Sequence, residues 1–252
     1  AYYFTQNESL AGKTNGTLIE RTSGEAEKLD DFAQNLYGLS LGGPIVKDKV
    51  FFFFNGEIQR DETPVPFLFD TYRGDASEAD LNNLSDRLIS DYGYNPGGFG
   101  SKIDKLEGLR LFGKLDFNLN ETNKLTVRHQ YTKAEQFSVN GSSANTINYE
   151  NNGVYFPSTT NSFAAELNSM FGTKSSNNLV LGITTVRDDR DPIGNDFPYL
   201  ILFDGDGQIR LGSEQFSTAN LLEQDIVTIT NNFKLYKNEH HHYRYAQRIQ
   251  QL

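Results

Sequence analysis

The chain has 252 residues and a formal net charge of −10, long enough for one large β domain. That acidity argues against nucleic acid as a partner, because polyanion affinity rests on Lys and Arg neutralising phosphates. Mean hydropathy is −0.55, and no apolar run reaches the roughly 18 residues a membrane-spanning helix needs.

Spanning strands remain open, because lumen-facing positions and extracellular loops of a membrane barrel are polar and dilute the average. The 13 Tyr, 19 Phe and 22 Gly suit strands, tight turns and aromatic girdles, although Trp is absent. With no Cys, neither a disulfide framework nor a thiolate metal site is available.

In chain order, the start at Ala1 lacks Met and a signal-peptide pattern, and reads as cut from a longer protein. Tyr2 to Phe4 reads as a strand end, followed by a polar, Gly-punctuated loop to Asp31. Asn35 to Arg60, NLYGLSLGGPIVKDKVFFFFNGEIQR, reads as a β-hairpin with a Gly-Gly-Pro corner and a Lys47-Asp48-Lys49 tip. In its first arm Tyr37, Leu39 and Leu41 share a face. In its second, Phe52, Phe54 and Ile58 oppose Phe51, Phe53, Asn55, Glu57 and Gln59.

A Pro-punctuated extended stretch then leads to Ser77–Tyr92, where Leu81, Leu84, Leu88 and Ile89 recur at helical spacing. This predicts one short amphipathic helix, near 77–91, inside a long loop. DYGYNPGGFGS (91–101) lacks the Lys-Ser/Thr ending of a phosphate loop and reads as a surface turn.

From Leu109 the alternation is clean. Leu111, Gly113, Leu115, Phe117 and Leu119 oppose Arg110, Phe112, Lys114, Asp116 and Asn118. Past a turn at Asn120–Asn123, Leu125, Val127, His129 and Tyr131 alternate with polar residues. A loop is expected over Ser138–Asn161, then strands around Phe163–Phe171 and Leu179–Ile183, and a last long strand at Asp225–Tyr236. Strands of about ten residues, the length a tilted barrel strand needs to cross the hydrocarbon layer, favour a barrel over a sandwich. Short turns alternate with long loops, as in outer-membrane barrels.

The strings GLSLGGPIVKDKVFFFFNGEIQRDETP, RLFGKLDFNLNETNKLTVRHQYTKAEQ and VLGITTVRDDRDPIGNDFPYLILFDGDGQIRLGSEQFSTANLLEQDIVTITNNF resemble successive barrel hairpins of TonB-dependent outer-membrane receptors of the Oar-like group. The resemblance covers most of residues 1–237. Residues 238–252 depart from it, because Tyr243–Leu252 shows no clear face.

It implies an all-β fold, an antiparallel transmembrane β-barrel segment of about eight or nine strands from a larger barrel, in the outer membrane of a Gram-negative bacterium. It also implies a part in binding and importing a solute. The implied partners are outer-membrane lipid, an N-terminal plug, an inner-membrane energy-coupling protein and a solute of unknown identity.

Lumen-facing candidates are Arg110, Lys114, Asp116, Arg128, Gln130, Glu166 and Asn168; lipid-facing candidates are Leu111, Leu115, Phe117, Val127 and Leu181. The alternative is a β-rich outer-membrane or extracellular binding or adhesion module without transport.

Catalysis is not expected. Neither G-x-S-x-G nor H-E-x-x-H occurs, the Glu57 and Asp61 carboxylates read as solvated charge, and no cofactor is implied. No metal site is expected either. Asp204 and Asp206 are a weak Ca²⁺ candidate within a Gly-rich turn. Adjacent residues His240 to His242 would point to opposite strand faces, and Arg187 to Asp191 reads as mutual ion pairing.

Overall fold

The structure is a computed structural model and describes residues 1–13, 28–238 and 241–251. Nine strands form one antiparallel sheet: β1 (Tyr2–Asn7), β2 (Ala33–Val46), β3 (Val50–Val65), β4 (Lys102–Asn118), β5 (Asn123–Ser138), β7 (Val154–Phe171), β8 (Ser175–Pro192), β11 (Asn220–Asn238) and β12 (His241–Gln251). Each wall strand hydrogen-bonds the next in that order, and β1 and β12 stand at the two edges. Among the described residues the sheet is an open wall, not a closed barrel.

The two ends of this wall differ. At one, consecutive strands are joined by tight turns at 47–49, 119–122 and 172–174. The first closes with Lys49 N–H donating to Val46 O at 3.0 Å and places Asp48 at φ 61°, a left-handed position that Asp tolerates. At the other end lie the long connections 66–101, 139–153 and 193–219. These fold on one another. They contain helix α1 (Glu78–Tyr92) and a second sheet in which β10 (Gly207–Leu211) pairs in parallel with β6 (Thr146–Asn148) and antiparallel with β9 (Leu200–Asp204).

The chain's buried apolar core sits in these connections. Phe67, Leu81, Leu88, Tyr94, Ile147, Tyr149, Ile209 and Leu211 are buried, with Phe69, Tyr72, Phe99 and Phe197 packed against them. No wall strand contributes a residue to that cluster. A sheet one layer thick has no second layer of protein to bury its side chains.

Helix α1 forms where its cap and periodicity require. Ser77 accepts from Asp80 N–H while the Asp80 side chain accepts from Ser77 N–H, a capping box. Gly93, at φ 65°, ends it in the left-handed conformation. The buried side chains are Leu81 and Leu88.

Several boundaries differ from the sequence expectation. The Gly-Gly-Pro segment is not a corner: Gly42, Gly43 and Pro44 continue β2, opposite Phe53, Phe52 and Phe51. β1 pairs only with Ala33–Gly38, so the far half of β2 is an edge, where a residue without N–H is tolerated, and a register shift follows Pro44. Apart from β1, with 6 residues, the wall strands are also longer than ten residues, 14 in β2 and 19 in β11. The expected loop 138–161 shrinks because β7 begins at Val154. The Tyr243–Leu252 stretch, read as having no clear face, lies largely in β12, which pairs with β11 from Val227↔Gln251 onward. Part of the expected Asn7–Asp31 loop lies outside the described residues, as does His240.

Candidate functional site: a two-faced wall under a folded loop cap

Directly opposed residues of antiparallel strands share a face, so the register sorts the whole wall. The row Phe52, Leu115, Val127, Ala165, Leu181, Ile229, Ile249 runs across six strand pairs. The next row holds Val50, Phe117, Leu125, Leu167 and Leu179. All five residues expected to face lipid, Leu111, Leu115, Phe117, Val127 and Leu181, lie on this apolar face, and none is buried.

Arg110, Lys114, Asp116, Arg128, Gln130, Glu166 and Asn168 all lie on the other face, in the rows Arg110↔Thr132, Phe112↔Gln130, Lys114↔Arg128, Asp116↔Thr126↔Glu166 and Lys124↔Asn168. Their side chains link to one another and to neighbours. Lys114 Nζ lies 2.8 Å from Asp116, which also accepts from Thr126 Oγ1 at 2.8 Å. Arg110 reaches Glu57 at 3.6 Å and Gln59 at 3.3 Å.

Further along, Glu166 accepts from Asn178 at 2.6 Å and Asn168 at 2.9 Å. Asn178 accepts from Asn232 at 3.5 Å, which accepts from Arg244 at 2.9 Å. This chain of amides and charges crosses four strands near the tight-turn end. Sequence alternation identified Glu166 and Asn168; Asn178, Asn232 and Arg244 join them only through register. Phe51, Phe53 and Phe112 form an aromatic island on the same polar face, with Phe53 and Phe112 centroids 6.1 Å apart.

The apolar face has a boundary toward the long connections. Above Ile58, Leu109 and Tyr131 it carries Arg60 and Glu62 on β3, Lys105 and Glu107 on β4, and Lys133 and Glu135 on β5. On β8 and β11 the charges include Arg187, Asp189, Asp191, Glu223 and Asp225. Arg187 sits 2.5 Å from Glu223 and 3.4 Å from Asp189, so the Arg/Asp cluster pairs ions, partly with a strand the sequence did not bring to it. Arg190 instead lies over Phe156, 4.6 Å from the ring centroid.

The loop cap holds the buried polar network. Lys102 Nζ donates to Asn140 O at 2.8 Å and Asn148 O at 2.5 Å, clamping two turns of 139–153 over the end of the wall. Tyr149, fully buried, donates to Leu81 O at 2.7 Å, and Asn152 donates to Gly212 O at 3.2 Å. Gly97, at φ 77°, lets the backbone pass against Glu150, which a Cβ there would overlap.

Asp204 of the weak Ca²⁺ candidate has other work. Its Oδ2 accepts from the Tyr72 hydroxyl at 2.9 Å and Ala76 N–H at 3.1 Å, so it is a structural acceptor within the cap. Among the described residues no group of three or more His, Cys, Asp or Glu is placed to hold a metal. Burial, and then the Asp204 carboxylate, hold the Tyr72 phenol well above its ordinary pKa; burial raises Tyr94 and Tyr149 as well.

An antiparallel wall with one apolar face, one polar face, tight turns at one end and long connections at the other is a segment of a transmembrane β-barrel. Comparison with known proteins adds the membrane. A family described as "Outer membrane beta barrel domain" matches residues 1–98. The outer membrane transporter YddB from Escherichia coli matches with a TM-score of 0.60 at 11% identity, over 98% of this chain and 30% of that one. This chain therefore spans less than a third of the transporter's length. No curated protein matches. The fold is an outer-membrane β-barrel segment, and the location is the outer membrane.

Proposed function

We propose that this chain forms part of the barrel wall of an outer-membrane transporter of the TonB-dependent, Oar-like type, which binds and imports a solute. The observation that carries the reading is the polar face, with ion pairs at Arg110–Glu57 and Lys114–Asp116 and a hydrogen-bonded chain from Glu166 through Asn178 and Asn232 to Arg244. A wall facing only bulk water has no need of an aromatic island at Phe51, Phe53 and Phe112. In the proposed transporter that surface faces a plug, and the five apolar-face residues meet acyl chains. Energy comes from an inner-membrane partner, and the wall performs no catalysis.

The test is uptake in cells producing the protein, with a panel of labelled peptides, siderophores and oligosaccharides offered as solutes. Accumulation that collapses when a protonophore removes the inner-membrane gradient supports the proposal. Accumulation indifferent to the gradient, or binding to cells with no entry of any solute, overturns it. The second outcome would favour adhesion, to which the folded extracellular cap is suited.

A further inference from the structure

The apolar face carries two depressions on the same three strands, one above the other. The upper lies at the polar boundary and is lined by Ile58, Arg60, Glu107, Leu109, Lys133 and Glu135. The lower is an open furrow of about 320 Å³ bordered by Phe52, Leu115, Val127 and His129 around Gly113. At Gly113 a Cβ would meet nothing within 4 Å, so the hollow belongs to the apolar face. Only the row Gly56, Leu111, Tyr131 separates the two, and Gly56 keeps that step low.

From Lys133 to Val127 the strand rises about 20 Å at about 3.3 Å per residue. At a barrel tilt of about 40° that is about 15 Å of depth, the outer half of a hydrocarbon layer about 30 Å thick. The long connections mark this end as extracellular, so the strip faces the outer leaflet.

The upper depression also carries a mixed charge. Arg60 has no ion-pair partner among the described residues, although Glu107 stands opposite it in register. Lys133 lies 2.9 Å from Glu135, and Glu135 accepts from Tyr155. Two cations suit phosphate, and two carboxylates flanking them suit sugar hydroxyls as donors. A phospholipid supplies the phosphate but few hydroxyls; a phosphorylated glycolipid supplies both.

We infer that the strip on β3, β4 and β5 is a seat for one phosphorylated glycolipid of the outer leaflet, its headgroup on Arg60 and Lys133 and an acyl chain in the hollow at Gly113. The seat depends on the outer-membrane fold and not on solute import, so failure of uptake leaves it standing.

The test is native mass spectrometry of the protein purified from outer membranes, delipidated in detergent and titrated with bis-phosphorylated lipid A or, separately, phosphatidylglycerol. One lipid A is expected to remain bound at collision energies that strip phosphatidylglycerol. R60A/K133A should lower lipid A retention at least fivefold, and G113L, which fills the hollow without a clash, should lower it to a similar degree. L181A, on the same face three strands away, should leave it unchanged. Circular dichroism and heat-modified gel mobility establish that each variant is folded. Equal retention of both lipids, or of lipid A by folded wild type, R60A/K133A and G113L alike, overturns the seat.

Discussion

Leu115 and Lys114 are neighbours in sequence and opposites in environment. Leu115 stands mid-row between Phe52 and Val127, whereas Lys114 pairs with Asp116 on the other face. An Arg at the lipid midplane of a barrel costs about 2–4 kcal/mol. Leu115→Arg should therefore lower unfolding stability in detergent or liposomes by that amount, while Lys114→Gln should change it by less than about 1 kcal/mol. Equal effects in urea titrations would reverse the assignment of faces. In the cap, Leu81 is 1% exposed. Leu81→Ala should cost about 2–5 kcal/mol of local stability, read as faster amide exchange in α1 with exchange in the wall unchanged.

At the scale of elements, α1 owes its start to the Ser77–Asp80 box. Ser77→Ala should cost about 1 kcal/mol, detected as fraying of the first turn by hydrogen exchange. Alkali acts on the cap through its tyrosines. Tyr72, Tyr94 and Tyr149 have phenols raised by burial, and Tyr72 further by Asp204. A group with a raised folded pKa lends stability that is complete below its unfolded value, about 10 for Tyr, and is lost as pH climbs toward the folded value. The cap should hold to about pH 10 and loosen above it. Absorbance at about 295 nm should show these phenolates forming only as near-ultraviolet circular dichroism collapses; free titration near pH 10 with the cap intact would contradict the packing.

The periodicity of two had marked the hairpins around Asn35–Arg60 and Leu109–Tyr131, and the 3.6 spacing of Leu81, Leu84 and Leu88 had marked the helix. Both are local backbone properties. The far half of β2, by contrast, runs straight through Gly42–Pro44 because β1 is too short to demand an N–H there, a fact about a neighbouring strand.

On the scale of the molecule, the wall has two edges unpaired among the described residues, at β1 and β12, and an apolar face in which Leu39, Leu41, Leu181 and Ile183 are each about half exposed. Exposed edges and wide apolar surface drive association in water. The chain on its own should be soluble only in detergent, and size-exclusion chromatography should show aggregate without it. A detergent-free monomer with a cooperative melt would sink the membrane assignment.

Which residues alternate, and so which side chains can share a face, was fixed by the chain alone, because successive Cβ atoms must point to opposite sides of a strand. Arg110, Lys114 and Asp116 were separable from Leu111, Leu115 and Phe117 on that ground. Tertiary structure decided what alternation is silent about: that Glu166, Asn178, Asn232 and Arg244 meet across strands, that Asp204 serves Tyr72, and that three distant connections bury Tyr149 and Leu211 in a common core. Those contacts depend on strand register and on loops brought together from far along the chain, and neither has a period to be read.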